Sequence, residues 1–471
     1  MTNQMREKQD LEERLKPFGQ EHLLQFWDEL SPPQRQALAS QIEAVDLGQI
    51  NSLFRGEVDQ PDWAQLSRRA EPPPAVRLSE QSGDRNQAAI EHGIEALRAG
   101  QVGVMITAGG QGTRLGFELP KSLYPIGPIS QASLLQIHIE KVRATAQRYG
   151  VSIPLYLMTS PATHEDTVRF LNENDRFGLA ADDLLVFCQG TMPAVDIETG
   201  QLLLAEQDRL FLSPDGHGGT VAALGKSGVL ERMQKRGIDQ LFYLQVDNPL
   251  VPICDPLLIG HHLLANSEMT SLTVQKKHAM EKWGNFAMID GHMHVIEYSD
   301  LPDEVANQCD DLGNLKLWAG SLAIHVFERT LFERALEKTD ILPFHIARKK
   351  VPFVNPDGKQ VTPTEPNAFK FERFIFDLLP AAERPLVVEY REEECFAPLK
   401  NAPGAEIDTP EYVQQMMLAQ HKRWLTAAGA EVAPGVDVEI SPLFALDAEQ
   451  VVERIKPGQR FEKSQYLAEG T

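Results

Sequence analysis

The chain has 471 residues, with 45 lysines and arginines against 67 aspartates and glutamates, for a formal net charge of −22. This length exceeds what one hydrophobic core supports, so two or three domains are expected. Such negative charge disfavours nucleic acid and anionic membranes as partners, and any phosphate-binding cations must be grouped locally. The four cysteines form no C-x-x-C pair, the N-terminus lacks a signal-peptide core, and no apolar run approaches the ~20 residues that span a bilayer. A cytoplasmic enzyme with reduced thiols is predicted.

Residues 1–98 are predicted to be an N-terminal helical region. Apolar residues recur at helical intervals between Leu11 and Leu30, and Ser31-Pro32-Pro33 supplies a cap and a proline start for a second helix that reaches Val45. The run Glu71-Pro72-Pro73-Pro74 indicates an extended linker before a helix around Ile90–Leu97.

From residue 99 to about 380 short apolar strands alternate with helical segments. The predicted strands are Val102–Ile106, Leu155–Thr159, Leu184–Cys188, Leu241–Val246 and Leu272–Val274, and the predicted helices lie near 133–148, 163–174, 220–236 and 255–266. This alternation predicts an α/β fold with a doubly wound, mostly parallel sheet. Strands at Val387–Tyr390 and Val436–Ile440, with Pro-rich joints, predict a small strand-rich C-terminal domain over residues 381–471.

A glycine-rich loop follows the first of these strands. The segment 104–121 passes from apolar residues into Gly109, Gly110 and Gly112 and then into two cations, Arg114 and Lys121. Glycines there allow backbone N–H groups to approach an anion, and the cations neutralise polyphosphate charge. The loop therefore predicts a nucleotide site rather than a solvated glycine-rich turn.

Spacing excludes two common nucleotide loops. The dinucleotide pattern G-x-G-x-x-G starting at Gly110 meets Leu115 where the third glycine must stand, and the Walker pattern meets Pro120 just before Lys121. What remains is G-G-x-G-T-R-L-G-x-x-x-P-K, which resembles the signature of sugar-nucleotide pyrophosphorylases, the nucleotidyltransferases that join an NTP to a sugar 1-phosphate.

Further candidates follow strands, because ligands sit beyond the carboxyl ends of an open parallel sheet. Asp247 ends the strand Leu241–Val246, beside the predicted polyphosphate site, and is a candidate Mg²⁺ ligand; the alternative is a cap for a helix after Pro249. Gln189 offers both a donor and an acceptor to a uracil edge, or is a solvated turn residue. His217, in the second glycine-rich loop 213–219, could stack on a ring, donate to a sugar, or cap a helix at Thr220.

With these residues placed, the chain resembles the eukaryotic-type UDP-N-acetylhexosamine pyrophosphorylases, within the UDP-glucose/UDP-sugar pyrophosphorylase superfamily. The likeness covers nearly the whole length, and it implies a Rossmann-like, GT-A-like nucleotidyltransferase fold. Besides the glycine-rich loop, the motifs that carry it are Phe18-Gly19-Gln20-Glu21-His22, Phe26-Trp27-Asp28-Glu29-Leu30, Gln189-Gly190, Asp215-Gly216, Val246-Asp247-Asn248, Glu297-Tyr298-Ser299, Leu342-Pro343-Phe344-His345, Lys370-Phe371-Glu372, Phe374-Ile375-Phe376-Asp377, Pro398-Leu399-Lys400-Asn401-Ala402 and Ile440-Ser441-Pro442-Leu443.

The resemblance implies a role for particular residues. Uridine binding is implied for Ala108, Gly109, Gly110, Gly112, Thr113, Gln189 and Gly216. Triphosphate binding is implied for Arg114 and Lys121, binding of the sugar phosphate for Lys370, and Mg²⁺ binding, with Mn²⁺ as the alternative metal, for Asp247. Contacts to the sugar are implied for His217, Gly284, Glu297 and Ser321.

The implied chemistry needs no nucleophilic side chain. A phosphate oxygen of the sugar 1-phosphate attacks the α-phosphorus of UTP in line, and pyrophosphate leaves on the opposite side. Catalysis then comes from positioning and from charge neutralisation by Mg²⁺, Arg114, Lys121 and Lys370.

Two positions on the sugar side depart from the family pattern. His217 and Ser321 stand where the acetylhexosamine enzymes are expected to have asparagine, and Ser321 offers one hydroxyl in place of an amide. The flanking motifs favour N-acetylglucosamine 1-phosphate as the substrate. A UDP-glucose or broad-specificity UDP-sugar pyrophosphorylase is the alternative, and a catalytically silent nucleotide-sugar sensor is a more distant one. No protein partner is indicated.

Overall fold

The computed structural model describes residues 3–57, 61–338 and 342–470. The chain forms two compact units, each assembled from three segments. The smaller unit comprises Met1–Pro61, Gly190–Thr220 and Leu342–Ile375, and the larger unit comprises Asp62–Gln189, Val221–Ile341 and Phe376–Thr471. The division at residues 98 and 380 remains a prediction about separable domains.

A ten-stranded sheet forms the centre of the larger unit. In chain order its strands are β1 (Ala75–Val76), β2 (Val102–Thr107), β3 (Leu155–Thr159), β4 (Leu184–Cys188), β5 (Gln240–Gln245), β6 (Met269–Gln275), β7 (Gly284–Ile289), β8 (His292–Ile296), β9 (Ala319–Glu328) and β10 (Leu386–Glu389). The order across the sheet is β1-β10-β6-β9-β5-β2-β3-β4, and the hairpin of β7 and β8 is attached to β9.

Most neighbouring strands of this sheet run parallel. The pairs β5-β2, β2-β3, β3-β4, β6-β10 and β1-β10 are parallel, whereas β9 runs antiparallel to both β5 and β6. The predicted α/β fold with a mostly parallel sheet is therefore confirmed. One assignment was wrong: the strand predicted at 387–390 belongs to this sheet as β10, because its backbone pairs with β1 and β6, and not to a separate C-terminal domain.

Continuous apolar runs explain why the central strands form. Every residue of β2 and β3 is buried, as expected for parallel strands covered on both faces. The helices of the larger unit are Trp63–Leu66, Asp84–Arg98, Leu134–Tyr149, His164–Glu173, Val229–Lys235, Pro256–Leu264, Asp303–Ala306, Arg329–Glu337, Glu392–Cys395, Pro410–Ala427 and Ala448–Arg454.

The helix predicted over residues 220–236 is instead two helices. They span Thr220–Lys226 and Val229–Lys235 and are separated at Gly228, whose φ of +71° is left-handed and cannot continue a helix. The other predicted helices near 133–148, 163–174 and 255–266 are present within about two residues of their expected ends.

Two glycines allow the helices Asp84–Arg98 and Pro256–Leu264 to pack in close contact. A Cβ on Gly93 would lie 2.0 Å from the Pro256 carbonyl oxygen, and one on Gly260 would lie 1.6 Å from that of Ala89. Any side chain at either position would force the helices apart, so these glycines set the packing distance beside the sheet.

The C-terminal segment has its own apolar core within the larger unit, and it contacts the loop that follows Lys121. The core comprises Leu425, Ala428, Ala430, Val438, Ile440, Phe444, Ala445, Val451, Ile455, Phe461 and Leu467. The buried carboxylate of Glu439 accepts hydrogen bonds of 2.6–2.7 Å from the backbone of Ile129 and from the backbone and hydroxyl of Ser130. These charge-assisted bonds fix the 127–132 loop ahead of the helix Leu134–Tyr149.

The smaller unit joins the N-terminal helices to a short antiparallel sheet. Its helices are Asn3–Leu15, Pro32–Ala44 and Leu47–Phe54, and its three-stranded sheet has the order His345–Lys349, Ala368–Glu372, Val195–Asp196. Buried Gln20 donates to the Gly200 carbonyl and accepts from the Leu202 amide, while the His22 ring bonds the Leu202 carbonyl. The Phe18–His22 motif is thus structural: it joins the helical arm to the 200–202 hairpin.

No helix in the described part of the chain is both long and apolar enough to cross a membrane. All four cysteines are free thiols. Cys254 and Cys395 are buried, whereas Cys188 and Cys309 are exposed.

Three buried histidines are expected to make the protein less stable in acid. Burial lowers the pKa of His138, His262 and His421 to about 3, against an ordinary value of 6.5. Between pH 3 and pH 6.5 the unfolded chain binds more protons than the folded one. The free energy of unfolding therefore falls by about 1.4 kcal/mol per histidine for each unit by which the pH is lowered. The stability that comes from keeping these rings neutral is fully present above pH 6.5 and is lost as the pH falls towards 3.

His262 isolates one third of that effect. Its ring bonds the side chains of Thr270 and Gln240. In urea unfolding at about pH 6, 5 and 4, His262→Gln should reduce the pH slope by about 1.2 kcal/mol per unit. His92→Gln makes the same substitution at an exposed histidine and is the matched control. Equal slopes for His262→Gln and the unmodified protein would contradict a neutral buried ring.

Candidate active site

The glycine-rich loop leaves the carboxyl end of β2 and folds back on itself. The Ala108 amide donates to the Met158 carbonyl at 2.7 Å, and the Gly112 amide donates to Leu119 at 3.0 Å. A Cβ on Gly112 would lie 2.7 Å from that same Leu119 oxygen and 2.7 Å from the Phe117 ring, so the turn requires glycine.

Two amides of this loop have no protein acceptor. Within the described residues, the backbone N–H groups of Gly109 and Gly110 donate to nothing, and Gly110 is exposed. The Ser160 hydroxyl fixes the Gly109 carbonyl at 2.8 Å. Backbone N–H groups held in this way can donate hydrogen bonds to an anion or to a carbonyl oxygen of a base.

Gln189 lies directly against the first glycine of the loop. Its side chain is buried, and its backbone N–H donates to the Thr159 carbonyl at 2.8 Å. The side-chain Oε1 is 2.5 Å from where a Cβ on Gly109 would stand. The absence of a side chain at Gly109 therefore makes room for the Gln189 amide, and the structure brings together two of the residues predicted to hold uracil.

Lys121, at the end of the loop that follows β2, forms an ion pair with Asp247, which follows β5. The Lys121 amide donates to the Gly110 carbonyl at 3.0 Å, which closes the loop, and its Nζ is 3.2 Å from Asp247 Oδ2. Arg114 is exposed and makes no ion pair or hydrogen bond in the described part of the chain. Its guanidinium is accordingly available to a ligand.

The buried carboxylate of Asp247 is held in its charged form. Burial by itself raises the pKa, but the positive charges of Lys121 and Lys400 more than offset this, and the pKa lies below its ordinary value. Asp247 does not cap a helix after Pro249, which was the alternative interpretation. The next helix begins at Pro256, and its cap is Asp255.

Three of the residues predicted to contact the sugar lie close together. Gly284 on β7 pairs with Ser321 on β9. A Cβ on Gly284 would lie 3.2 Å from Glu297 Oε1 and 3.6 Å from the Ser321 Cβ. Val295 Cγ1 is nearer still, 2.5 Å from that Cβ position, so these residues come this close only because position 284 has no side chain. Glu297 and Ser321 carry a carboxylate and a hydroxyl, the groups that bind sugar hydroxyls.

The second glycine-rich loop lies in the smaller unit. The Gly218 amide donates to the Arg373 carbonyl at 2.7 Å, and a Cβ on Gly216, whose φ is +83°, would lie 2.4 Å from that oxygen. His217 stacks on Phe374 with ring centroids 5.1 Å apart, and its Nδ1 accepts from the Ile375 amide at 3.1 Å.

His217 is neutral at physiological pH. Burial, together with the neighbouring His345, lowers the pKa of its ring to about 4. Because Nδ1 accepts a hydrogen bond, the proton of the neutral ring is on Nε2. The ring therefore carries its proton on Nε2, while Nδ1 holds the loop.

Lys370 also lies in the smaller unit, on the strand Ala368–Glu372. Its Nζ is 5.0 Å from the Phe211 ring, and within the described residues it makes no ion pair or hydrogen bond. Burial lowers its pKa, and Lys349 adds to this effect. A half-buried ammonium of this kind is suited to an anionic ligand.

Comparison with known proteins decides the family. The model of the UTP–glucose-1-phosphate uridylyltransferase family matches residues 64–469. The chain belongs to this family. Its glycine-rich loop was predicted to be that of a nucleotidyltransferase, and the match confirms it: the protein is a UTP:sugar-1-phosphate uridylyltransferase.

Named relatives of this uridylyltransferase resemble it over most of their length. It is 34% identical to the human UDP-N-acetylhexosamine pyrophosphorylase-like protein 1, over 90% of this chain and 87% of that protein. It is 33% identical to the UDP-N-acetylglucosamine pyrophosphorylase of Saccharomyces cerevisiae, over 92% and 94%. Its fold matches that of the Trypanosoma brucei UDP-N-acetylglucosamine pyrophosphorylase, solved with an inhibitor, with a TM-score of 0.80 and 26% identity over 95% and 94%. The predicted resemblance is confirmed.

Sequence reasoning missed Lys400 of this uridylyltransferase. The Leu399 amide donates to the Asp247 carbonyl at 2.8 Å, which places the next residue, Lys400, where its charge lowers the pKa of Asp247. The turn is closed by the Asp408 carbonyl, which accepts from the Lys400 amide at 2.9 Å. The signal was present, because Lys400 lies in the Pro398–Ala402 motif, to which the sequence analysis gave no role.

The donor set at Asp247 fits Mg²⁺. The described residues contain no cluster of three or more His, Cys, Asp or Glu side chains that could hold a metal alone. Mg²⁺ that accompanies a nucleotide needs only one or two carboxylates, since phosphate oxygens and water complete its shell. A charged, buried carboxylate beside the nucleotide loop meets that requirement.

Proposed function

We propose that the protein transfers the uridylyl group of UTP to N-acetylglucosamine 1-phosphate, which gives UDP-N-acetylglucosamine and pyrophosphate. The observation that carries the proposal is the 33–34% identity, over about nine tenths of the chain, to proteins named for N-acetylhexosamine and N-acetylglucosamine. The site supports it with two cations, Arg114 and Lys121, beside the nucleotide loop.

The residues of the larger unit have distinct roles in this proposal. Gly109, Gly110 and Gln189 bind the uracil edge, together with the backbone of Ala108, Gly112 and Thr113. Arg114 and Lys121 bind the triphosphate oxygens and hold the α-phosphorus open to in-line attack. Lys400 adds positive charge on the same side as Asp247.

Asp247 would hold Mg²⁺, or Mn²⁺ in its place, through its charged oxygens. When bound, the metal neutralises charge that builds up on the phosphate oxygens as pyrophosphate leaves. Lys370 binds the phosphate of the sugar 1-phosphate. In the smaller unit, Gly216 is proposed to bind uridine and His217 the sugar. A cytoplasmic location is part of the proposal, and the four free thiols support it.

Ser321 favours one second candidate, a UDP-glucose or broad-specificity UDP-sugar pyrophosphorylase. Ser321 pairs with Gly284 across β9 and β7, and its side chain offers a hydroxyl. A single hydroxyl discriminates less between an acetamide and a hydroxyl on the sugar than a side-chain amide would.

Pyrophosphate release with a panel of sugars tests both candidates. With UTP and Mg²⁺, N-acetylglucosamine 1-phosphate is expected to exceed glucose 1-phosphate in kcat/KM by at least ~10-fold, the scale of one group recognised in a fitted pocket. N-acetylgalactosamine and galactose 1-phosphates complete the panel. Equal use of all four sugars would establish the broad-specificity enzyme, and no release with any of them would contradict catalysis.

A further inference from the structure

Asp247 lies in a segment without regular structure. The strand β5 ends at Gln245, and the next helix starts at Pro256. The carbonyl groups between them have no ladder to satisfy them, yet Asp247 and its neighbours are buried. The position of its carboxylate therefore depends on the backbone bond from the Leu399 amide and on side chains that bond the neighbouring carbonyls.

One face of the helix Leu134–Tyr149 supplies these side-chain bonds. His138 Nε2 is 3.0 Å from the Val246 carbonyl oxygen, and Lys141 Nζ is 2.5 Å from that of Pro249 and 2.9 Å from that of Val251. His138 and Lys141 are three residues apart and share a helix face. Their bonds reach the backbone on both sides of Asp247.

We infer that Lys141, assisted by His138, is a positioning residue for the metal site at Asp247. The inference rests on the proposed function, in which Asp247 holds the metal. Neither side chain bonds the Asp247 carboxylate, so both act through the backbone, as the residues that orient a ligand commonly do. The Asn248 side chain steadies the same turn by donating to the Cys395 carbonyl.

The surroundings of Lys141 do not indicate another role for its ammonium group. It makes no ion pair in the described residues, so its charge has no carboxylate partner. It borders a cavity of about 350 Å³ that is also lined by Thr145, Cys254, Tyr390 and Trp424. That cavity gives room for a larger guanidinium at position 141, which provides a conservative variant.

Mn²⁺ binding tests the inference without turnover. Free Mn²⁺ is measured by electron paramagnetic resonance with UTP present and no sugar phosphate. Lys141→Met, which removes every donor, should weaken Mn²⁺ binding at least ~10-fold, as the loss of other orienting partners of metal ligands does. Lys141→Arg, which keeps the donors, should stay within about 3-fold of the unmodified protein, and uridine binding in EDTA should change by less than about 2-fold in both.

A matched control removes another buried lysine. Lys276 donates to the Ala279 carbonyl at 3.1 Å and to Asn285 at 2.5 Å, away from the Asp247 turn. Lys276→Met should therefore bind Mn²⁺ like the unmodified protein. If it weakens Mn²⁺ as much as Lys141→Met does, the effect is general loss of packing and the inference is overturned.

Folding is controlled with a second variant. His138→Leu removes one donor and should weaken Mn²⁺ in the same direction as Lys141→Met. Circular dichroism shows which of the two variants folds like the unmodified protein. If a variant that does so binds Mn²⁺ with unchanged affinity, the inference is overturned. Asp247→Asn separates the two proposals: if it binds Mn²⁺ normally, the metal assignment fails, whereas normal binding by Lys141→Met alone refutes only the role of Lys141.

Discussion

Replacing Asp247 with asparagine is expected to lower kcat/KM for UDP-sugar formation by about 10³-fold, the scale of losing a preorganised charge at the reacting phosphate. The substitution keeps the shape of the side chain but removes the anionic oxygens proposed to hold Mg²⁺. It also leaves Lys121 and Lys400 without the carboxylate whose pKa they lower. Initial rates of pyrophosphate release at saturating Mg²⁺ measure the effect.

A second buried aspartate provides the control. Asp255 accepts from the Leu257 amide at the start of the helix Pro256–Leu264 and from the Tyr390 hydroxyl at 2.6 Å. Asparagine can still cap a helix, so Asp255→Asn should leave kcat/KM within about 3-fold. Turnover by Asp247→Asn within about 10-fold of the unmodified enzyme would contradict the role of Asp247 as a metal ligand.

The central strands could be predicted because their sequences are typical of buried β-strands. Val102–Thr107 and Leu155–Thr159 are short apolar runs between polar or glycine-rich segments, and both are fully buried. Asp247 and Gln189 were predicted from their positions: a polar residue after a strand lies at the ligand-binding edge of a parallel sheet.

The antiparallel strand β9 could not be predicted from local pattern. Strand direction depends on how the chain returns to the sheet, and here the β7–β8 hairpin comes between β6 and β9. The same limit explains β10, whose apolar run is typical of any strand. Its place between β1 and β6 comes from pairing with residues far away in the sequence.

Individual site residues could be predicted from the sequence, but the contacts between them could not. Gly284, Glu297 and Ser321 were named from resemblance, and only the structure shows that the side chains of the other two lie within 4 Å of where a Cβ at 284 would stand. Lys400 was missed because its relation to Asp247 passes through a backbone bond from Leu399. No periodicity or spacing in the sequence reports such a bond.

Replacing Lys121 with alanine is expected to lower kcat/KM by at least ~10²-fold, the scale of removing one preorganised charge contact. The reason is geometric, since the Lys121 amide closes the nucleotide loop on Gly110 while its ammonium reaches Asp247. Only the second of these contacts is lost in the variant. The loop should keep its shape, and the affinity for uridine should change by less than about 3-fold.

A double-mutant cycle tests whether Lys121 and Asp247 act as a unit. Groups 3.2 Å apart that serve one phosphate should be non-additive, so Lys121→Ala combined with Asp247→Asn should lose less than the product of the two single effects, by a coupling of about 1–3 kcal/mol. Lys121→Arg, which keeps the charge, should recover part of the activity. Full additivity would mean that the ion pair is structural and that Lys121 binds phosphate independently of Asp247, whereas near-normal turnover by Lys121→Ala would remove Lys121 from the catalytic site.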